Sequence, residues 1–271
     1  MQSLFIATTE TPSTTVGPGA AQAAEPGRAL SELDVEAVYA YPEPLDRPWL
    51  RVNFVTSLDG AASAVDGRSR SLSSPADRRM LALLRDLSDV ILVGAGTAVA
   101  EGYRAVRPQE SRAERRARLG LTSLPPIAVV TATGDLDPAS GLFGDASVDA
   151  PTIVFTTDAV GRDRRRALTS AGADVVIVGD QAVDLVALLA ELDGRGLRRV
   201  CCEGGPRLFG SLIAADVVDE LCLTVAPLLE GGTAPRISAA APTVRPPSAM
   251  TLRSVLHADG QLFLRHARTQ G

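Results

Sequence analysis

The chain has 271 residues, of which 45% are hydrophobic and 22% charged, a composition typical of a globular protein with a sizeable core. Its formal net charge of −5 argues against a protein that wraps nucleic acid, because such binding needs a basic face. All 27 basic residues are arginine, which excludes a P-loop lysine, a Schiff-base lysine and a lysine general base.

The N-terminal 45 residues are expected to form a flexible arm and connection before one domain at residues 46–271. Residues 8–28 are rich in Ala, Thr, Pro and Gly, and they cannot bury enough apolar surface to offset the entropy of ordering. A short helix and connection are predicted at residues 30–48. The chain starts without a basic segment or a long apolar run, so we expect a cytoplasmic protein.

The histidines and cysteines give little basis for a metal site. His257 and His266 are too few for a multi-histidine site, and we expect no bound metal. The three cysteines, Cys201, Cys202 and Cys222, have neither disulfide-framework nor Cys-x-x-Cys spacing. We interpret them as buried apolar side chains in a reducing compartment.

From residue 49 onward, apolar runs alternate with amphipathic stretches, which is the pattern of a layered α/β domain. Strands are predicted at residues 51–55, 90–93, 127–130, 152–156, 175–178, 200–202, 220–226, 250–256 and 262–266, with helices between most of them. A helix is predicted to start at Ser74 and Pro75, an N-cap followed by a proline at the first helical position. The last two strands predict an antiparallel hairpin with an Asp259-Gly260 turn.

Two strand-to-helix turns contain paired glycines. In the first, Gly94 and Gly96 precede Thr97, and the glycine amides could approach a phosphate. Val99, however, stands where a dinucleotide-binding fingerprint has its third glycine. A plain tight turn is therefore an equal alternative for this motif. In the second, Glu203 is followed by Gly204 and Gly205 at the start of a helix. The alternative for Glu203 is a structural role, capping the amides of the glycine turn.

Several motifs taken together closely resemble the C-terminal reductase domain of bifunctional riboflavin-biosynthesis proteins, over roughly residues 49–268. They are Ser57-Leu-Asp-Gly, Ser74-Pro-Ala-Asp-Arg, residues 84–97, Glu203-Gly-Gly-Pro, Val218-Asp-Glu-Leu and Ala226-Pro-Leu-Leu-Glu-Gly-Gly. The resemblance implies a three-layer dihydrofolate-reductase-like fold with a mostly parallel central sheet. It also implies a homodimer in which NADPH reduces the ring-opened ribosyl carbon of a phosphoribosylamino-pyrimidine to a ribityl phosphate.

The resemblance also implies site residues, position by position. The implied substrate-binding residues are Ser69, Arg85, Arg107 and Glu203, with the arginines suited to the substrate phosphate. The implied cofactor-binding residues are Val55, Ser71, Gly94, Gly96, Thr97, Glu101, Gly204, Gly205, Pro206, Arg207 and Leu208. Glu203 and Glu101 are the candidate catalytic residues, for proton donation or substrate orientation. Surface salt bridging is the alternative role for Arg85 and Arg107.

Two departures from the family pattern bear on the substrate. The family usually reads Ala-Asp-Asp-Pro where this chain has Ala100-Glu-Gly-Tyr, one residue shorter before Arg107. Glu101 and Tyr103 therefore reshape a wall of the site and leave the exact substrate open. The zinc signature of the deaminase half is also absent from these residues, so we expect reduction alone.

Two other functions remain open from the sequence. One is a reductase of a pteridine such as dihydrofolate, and the other is a catalytically silent NADPH-binding module. The preference for NADPH over NADH follows from the resemblance, with Thr131 or Thr133 as a candidate contact for a 2′-phosphate. The C-terminal hairpin and residues 221–229 are the candidate dimer interface.

Overall fold

The computed structural model describes residues 1–6, 27–239 and 246–269. Ten strands form one sheet within these residues. The strands are β1 Gln2–Ile6, β2 Trp49–Thr56, β3 Val90–Gly94, β4 Ile127–Val130, β5 Ile153–Thr156, β6 Asp174–Ile177, β7 Arg199–Cys202, β8 Glu220–Val225, β9 Met250–Ala258 and β10 Gln261–Arg268. All nine predicted strands are therefore confirmed to within a few residues.

The α-helices fall between the strands, as the alternating pattern predicts. They are α1 Glu32–Val38, α2 Pro75–Asp86, α3 Ala95–Ala100, α4 Ala113–Arg118, α5 Gly141–Gly144, α6 Arg162–Ser170, α7 Leu185–Gly194 and α8 Pro206–Ala214. Two short 3-10 helices, Ser69–Leu72 and Pro108–Glu110, lie in the loops beside the site described below.

The strand order is β1-β9-β10-β8-β2-β7-β3-β4-β5-β6. Pairing is parallel from β8 through β6 and antiparallel among β8, β10, β9 and β1. The mostly parallel sheet with an antiparallel C-terminal hairpin is thus confirmed. Because β7 lies between β2 and β3, the loops after these three parallel strands meet at one edge of the sheet.

Helices cover both faces of the sheet, so the three-layer architecture is also confirmed. On one face, α7 and α8 pack their leucines on side chains such as Val52, Leu92 and Val200. On the other face, α1 and α2 pack on one end of the sheet, and α3, α5 and α6 pack around Ile91 and Val129. None of the helices in the described part of the chain has the length and apolar character needed to cross a bilayer.

The predicted start of α2 and the predicted hairpin turn are both confirmed. Ser74 is the N-cap of α2, and its hydroxyl accepts a hydrogen bond from the Asp77 amide at 3.1 Å. The turn between β9 and β10 has positive φ at Asp259 and at Gly260, as a tight two-residue hairpin turn requires. The three cysteines are free and buried.

The described ends of the predicted N-terminal arm form regular structure. Residues 2–6 are strand β1, which pairs with β9, and the predicted short helix is α1, whose N-cap Ser31 forms a capping box with Asp34. Most of residues 8–28 lies outside the described residues. Composition could not predict β1, because β1 forms its hydrogen bonds with β9, at the other end of the sequence.

A buried cluster of charges joins the parallel and antiparallel parts of the sheet. Glu220 on β8 accepts hydrogen bonds from Arg51 on β2, at 2.8 Å, and from Arg265 on β10, at 2.7 Å. Arg51 and Glu220 are fully buried. Burial alone would raise the pKa of Glu220, but the two guanidinium groups lower it to about 2. The carboxylate is therefore the counter-charge of the fully buried Arg51 and of Arg265, whose side chain is 17% exposed.

Glu220→Gln should lower the free energy of unfolding by about 3–5 kcal/mol, because it leaves buried arginine charge uncompensated. Glu191→Gln is the matched control, since Glu191 forms an exposed ion pair with Arg195 that contributes about 1 kcal/mol or less. Urea unfolding of both variants measures the difference. A loss below 1 kcal/mol in Glu220→Gln would contradict a stabilising role for the cluster.

The same cluster predicts a pH dependence. Because the pKa of Glu220 is lowered from an ordinary value of 4.5 to about 2, its contribution is present above pH 4.5 and is lost as the pH falls towards 2. Between pH 5 and pH 3, the free energy of unfolding, measured with urea, should therefore fall more for the wild-type protein than for Glu220→Gln.

Candidate active site

The candidate site is a cavity of about 450 Å³ at the carboxyl ends of β2, β7 and β3. Side chains from β2, the first 3-10 helix, α2 and the end of α3 form its walls, and the turn from β7 into α8 closes one end. This is the edge at which α/β sheets place their ligands.

The two glycine turns meet at this edge. The Gly94 amide donates to the Gly204 carbonyl at 2.7 Å, which ties the turn after β3 to the turn after β7. A Cβ at Gly204, where φ is +88°, would lie 2.6 Å from the Phe54 ring, and a Cβ at Gly205 would lie 2.1 Å from Thr97 Oγ1. The two glycines are thus required by close contacts within the protein, and the two turns form one surface.

Glu203, at the end of β7, is held by two neighbours on the cavity wall. Arg85 donates from Nε to Oε1 and from Nη2 to Oε2, both at 2.6 Å, and the Tyr103 hydroxyl donates to Oε2 at 2.5 Å. The Glu203 side chain is 3% exposed, and that of Arg85 is 27% exposed. The side chain of Glu203 therefore accepts its hydrogen bonds from side chains of the cavity wall. The alternative role, in which Glu203 caps the amides of the glycine turn, predicted hydrogen bonds from those amides instead.

Burial acts on the ionisation of this network. Burial and the Glu203 carboxylate together raise the pKa of Tyr103 well above its ordinary value, so its phenol stays protonated. Burial alone would lower the pKa of Arg85, but the charge of Glu203 and its hydrogen bonds with the guanidinium together raise this pKa above its ordinary value. Arg85 therefore keeps its positive charge beside the carboxylate.

Glu101, at the C-terminal end of α3, lies on the same wall and holds the first 3-10 helix. Its Oε1 accepts hydrogen bonds from the Ser69 amide at 2.8 Å and from the Ser69 hydroxyl at 2.9 Å. Ser71, in contrast, is exposed and donates to Asp66 at 2.9 Å. The structure thus brings Ser69 and Glu101 together and places Ser71 outside the cavity.

The cavity contains four arginines, and two of them are paired with carboxylates. Arg85 pairs with Glu203, and Arg104 pairs with Glu110 at 2.7 Å. Among the described residues, no carboxylate lies within ion-pairing distance of Arg70 or Arg78, which line the same wall. Arg78 donates to the Ser73 carbonyl at 3.0 Å, and the Ser73 amide donates to the Arg70 carbonyl at 3.2 Å. Both unpaired arginines therefore belong to the same wall of the cavity, where the Ser73 backbone links the Arg78 guanidinium to the Arg70 carbonyl.

The structure brings most of the predicted site residues together. The predicted residues that line the cavity are Val55, Ser69, Arg85, Gly96, Thr97, Glu101, Glu203, Gly205 and Pro206. Gly94 and Gly204 lie directly behind this surface, and Leu208 is buried in the core. Arg107 and Arg207 are exposed and do not line the cavity.

Sequence reasoning missed Arg70 and Arg78, although a signal for Arg78 was present. Arg78, Leu81 and Arg85 follow one another at helical spacing on α2, opposite the apolar face, and all three line the cavity. Arg85 is a predicted substrate-binding residue, and Arg78 lies about two turns before it on the same face of α2. The helical spacing therefore indicated Arg78 as a second residue of the site. The sequence indicates Tyr103 only as a departure from the family pattern.

Asp59, in the Ser57-Leu-Asp-Gly motif, has a structural role. Its carboxylate accepts hydrogen bonds from the Ser57 hydroxyl at 2.5 Å and from the Glu230 and Gly231 amides at 3.1 and 2.7 Å. These contacts lower the pKa of Asp59 to about 2. Asp59 therefore joins two of the motifs that carry the family resemblance.

The candidate threonines after β4 differ in exposure. The Thr131 hydroxyl is buried and accepts a hydrogen bond from the Gly134 amide at 2.9 Å, so it shapes the turn. Thr133 is exposed.

The sequence also matches a known protein family and several characterised proteins. Residues 48–263 match the family described as the RibD C-terminal domain. The chain is 32% identical over 186 residues to the 2,5-diamino-6-ribosylamino-4(3H)-pyrimidinone 5′-phosphate reductase of Archaeoglobus fulgidus, covering 69% of this chain and 83% of that protein. It is 31% identical over 189 residues to the riboflavin biosynthesis protein RibD of Bacillus amyloliquefaciens, of which it spans 47%.

The fold is also similar to that of a solved protein. A crystal structure of a pyrimidine reductase-like protein from Corynebacterium diphtheriae has a TM-score of 0.75 and 25% sequence identity to this chain, covering 87% of this chain and 98% of that one. The similarity therefore extends over nearly the whole of both chains.

Gly205→Ala should lower the free energy of unfolding by about 1–3 kcal/mol, because the new methyl group would lie 2.1 Å from Thr97 Oγ1. The double variant Gly205→Ala/Thr97→Ala should recover most of this loss, since the remaining contact, with the Cβ of residue 97, is 3.4 Å. Gly96→Ala is the control, because its methyl group meets nothing within 4 Å. Urea unfolding distinguishes the variants, and a double variant no more stable than Gly205→Ala would show that the two turns do not pack as described.

Proposed function

The chain belongs to the RibD C-terminal domain family, and we propose that it is an NADPH-dependent reductase of riboflavin biosynthesis. Its proposed substrate is 5-amino-6-(5-phosphoribosylamino)uracil or the related 2,5-diaminopyrimidinone, and its product is the ribitylamino phosphate. The main observation in support of this proposal is that the two glycine turns and an arginine-rich wall line the same cavity. The printed names of the relatives, which are pyrimidine reductases, support the same activity.

The glycine surface of the cavity fits a nicotinamide cofactor. Gly96 and Gly205 both line the cavity without a side chain, and Gly205 is the N-cap of α8. Backbone amides free of side chains suit a pyrophosphate. Val55 and Thr97 line the same end and would contact the cofactor. When bound, NADPH supplies the hydride for the reduction.

The arginine wall fits the substrate phosphate. Arg70 and Arg78 are unpaired with carboxylates within the described residues, so each guanidinium can form charge-assisted hydrogen bonds with a phosphate. Arg85 shares its charge with Glu203, and Arg107 lies outside the cavity. We therefore assign the phosphate to Arg70 and Arg78, and Arg85 to the part of the site near Glu203.

The two glutamates have different surroundings, which suggests different roles. Reduction adds a hydride to the ring-opened ribosyl carbon and one proton to the substrate, with NADP⁺ as the other product. Glu203 accepts three hydrogen bonds and is suited to orient the substrate. Glu101 uses one oxygen to hold Ser69 and keeps the other for a water or a substrate group. We assign proton transfer to Glu101, and positioning supplies much of the rate.

Two further properties are proposed with this function. A homodimer is supported by the adjacent exposed leucines Leu58, Leu228 and Leu229, which are 62%, 44% and 79% exposed. The Leu58 amide donates to the Leu228 carbonyl at 2.8 Å, so these leucines form one patch. A cytoplasmic location is supported by the three free cysteines and by the proposed cofactor.

The test is NADPH oxidation by the purified protein, followed by its absorbance. We expect turnover with the phosphoribosylamino-pyrimidines and no turnover with dihydrofolate. A dephosphorylated pyrimidine should give a KM at least about tenfold higher, because each charge-assisted hydrogen bond to the phosphate contributes about 1.5–3 kcal/mol.

The matched variant is Glu101→Gln, which keeps the size and hydrogen-bonding reach of the side chain but cannot release a proton. Its kcat, measured at saturating NADPH and substrate, should fall at least about tenfold, so that a change in cofactor affinity does not account for the loss. Turnover of dihydrofolate alone would show that the site has a pteridine substrate. Tight NADPH binding without any turnover would identify a silent binding module.

A further inference from the structure

We propose that Tyr103 is a positioning residue that determines which oxygen of Glu203 accepts a hydrogen bond from the substrate. This inference rests on the proposed function, because it concerns the substrate of the same cavity. It assigns a role to a cavity residue that the proposed function leaves without one.

The argument starts from the acceptor positions of the Glu203 carboxylate. A carboxylate offers about four such positions, two on each oxygen. Arg85 occupies one on Oε1 and one on Oε2, and the Tyr103 hydroxyl occupies the second one on Oε2. The remaining position is on Oε1. With Tyr103 in place, Glu203 therefore offers the substrate one acceptor on one defined oxygen.

The backbone brings Tyr103 to this position. Helix α3 ends at Ala100, and Gly102 follows with a φ of +66°. The Gly102 amide donates to the Val99 carbonyl at 3.2 Å, and the Tyr103 amide donates to the Ala98 carbonyl at 2.8 Å, which together form a Schellman motif. The motif reverses the chain at the helix end, so that the side chain of Tyr103 returns to the cavity beside Glu203.

The environment also fixes the phenol in its role as donor. The Tyr103 ring packs against the apolar cluster under α3, and the Arg85 guanidinium lies 5.6 Å from the ring centre. Burial and the Glu203 carboxylate raise the pKa of the phenol well above its ordinary value. The hydroxyl therefore donates to Oε2 throughout the pH range in which a reductase works.

This arrangement defines the substrate group that Glu203 recognises. One free acceptor position suits a single donor, such as one hydroxyl of the opened sugar or one ring N–H. If the phenol were absent, Glu203 would offer acceptors on both oxygens, and the substrate or a water could bind in more than one way. Tyr103 thus acts through Glu203 by restricting the orientation of the bound pyrimidine.

The first test compares Tyr103→Phe with wild type. Phenylalanine keeps the ring and its packing and removes only the hydroxyl. We expect kcat for the phosphoribosylamino-pyrimidine to fall about tenfold to a hundredfold, because misplacement of a substrate has effects of this size. The dissociation constant for NADPH should stay within twofold, and urea unfolding should show a folded, cooperative variant.

The second test is a double-mutant cycle with Glu203→Gln, read out as binding of the ribitylamino phosphate product in the presence of NADP⁺ by calorimetry. In the wild-type background, Tyr103→Phe should weaken product binding about tenfold, because the product then no longer has one defined orientation on the Glu203 carboxylate. In the Glu203→Gln background, the same change should have less than a twofold effect, because Tyr103 acts through that carboxylate.

The outcomes separate this inference from the proposed function. A wild-type protein that neither reduces the pyrimidine nor binds the product would overturn the proposed function itself. If the wild type is active and Tyr103→Phe equals it in kcat and product binding, Tyr103 has only a packing role. An equal loss of product binding in both backgrounds would show that Tyr103 acts independently of Glu203, and either of these last two results would overturn the inference.

Discussion

The close contact between the turns after β3 and β7 determines the geometry of the whole site. The strands are neighbours in a parallel sheet, so both turns lie at the same edge, and the Gly94 amide binds the Gly204 carbonyl across them. A side chain at Gly204 or Gly205 would collide with Phe54 or Thr97. Because the turns are this close, α3 and β7 both end at the cavity, and Glu101, Tyr103 and Glu203 share one wall.

The charge pattern of the protein separates structural arginines from those that are available to a ligand. Arg51 and Arg265 form ion pairs with Glu220 inside the sheet, and these pairs join its parallel and antiparallel parts. Arg85 is committed to Glu203 at the cavity wall. Arg70 and Arg78 have no carboxylate partner among the described residues, which leaves their charge for an anion. Although the net charge of the chain is −5, two arginines on the cavity wall thus keep their positive charge without a carboxylate partner among the described residues.

The sequence predicted the nine strands that have apolar runs, together with the start of α2 and the Asp259-Gly260 turn, because each depends on local periodicity or on a short turn signal. It did not predict β1, whose partner is β9. It could not predict the bond between Tyr103 and Glu203 either, since these residues are 100 positions apart in the sequence. The roles of the site residues also depend on such distant contacts. The family motifs indicated Arg85, but only the structure showed that Glu203 is its partner.

The measurement that tests the reductase activity most directly is isotope transfer from NADPH deuterated at the transferable position of the nicotinamide. The purified protein would be supplied with the phosphoribosylamino-pyrimidine, and the product would be analysed by mass spectrometry and NMR. The account predicts a ribitylamino phosphate that carries one deuterium on the former ribosyl carbon, formed in equal amount to NADP⁺. NADPH oxidation without deuterium on that carbon, or no product at all from the pyrimidine, would contradict it.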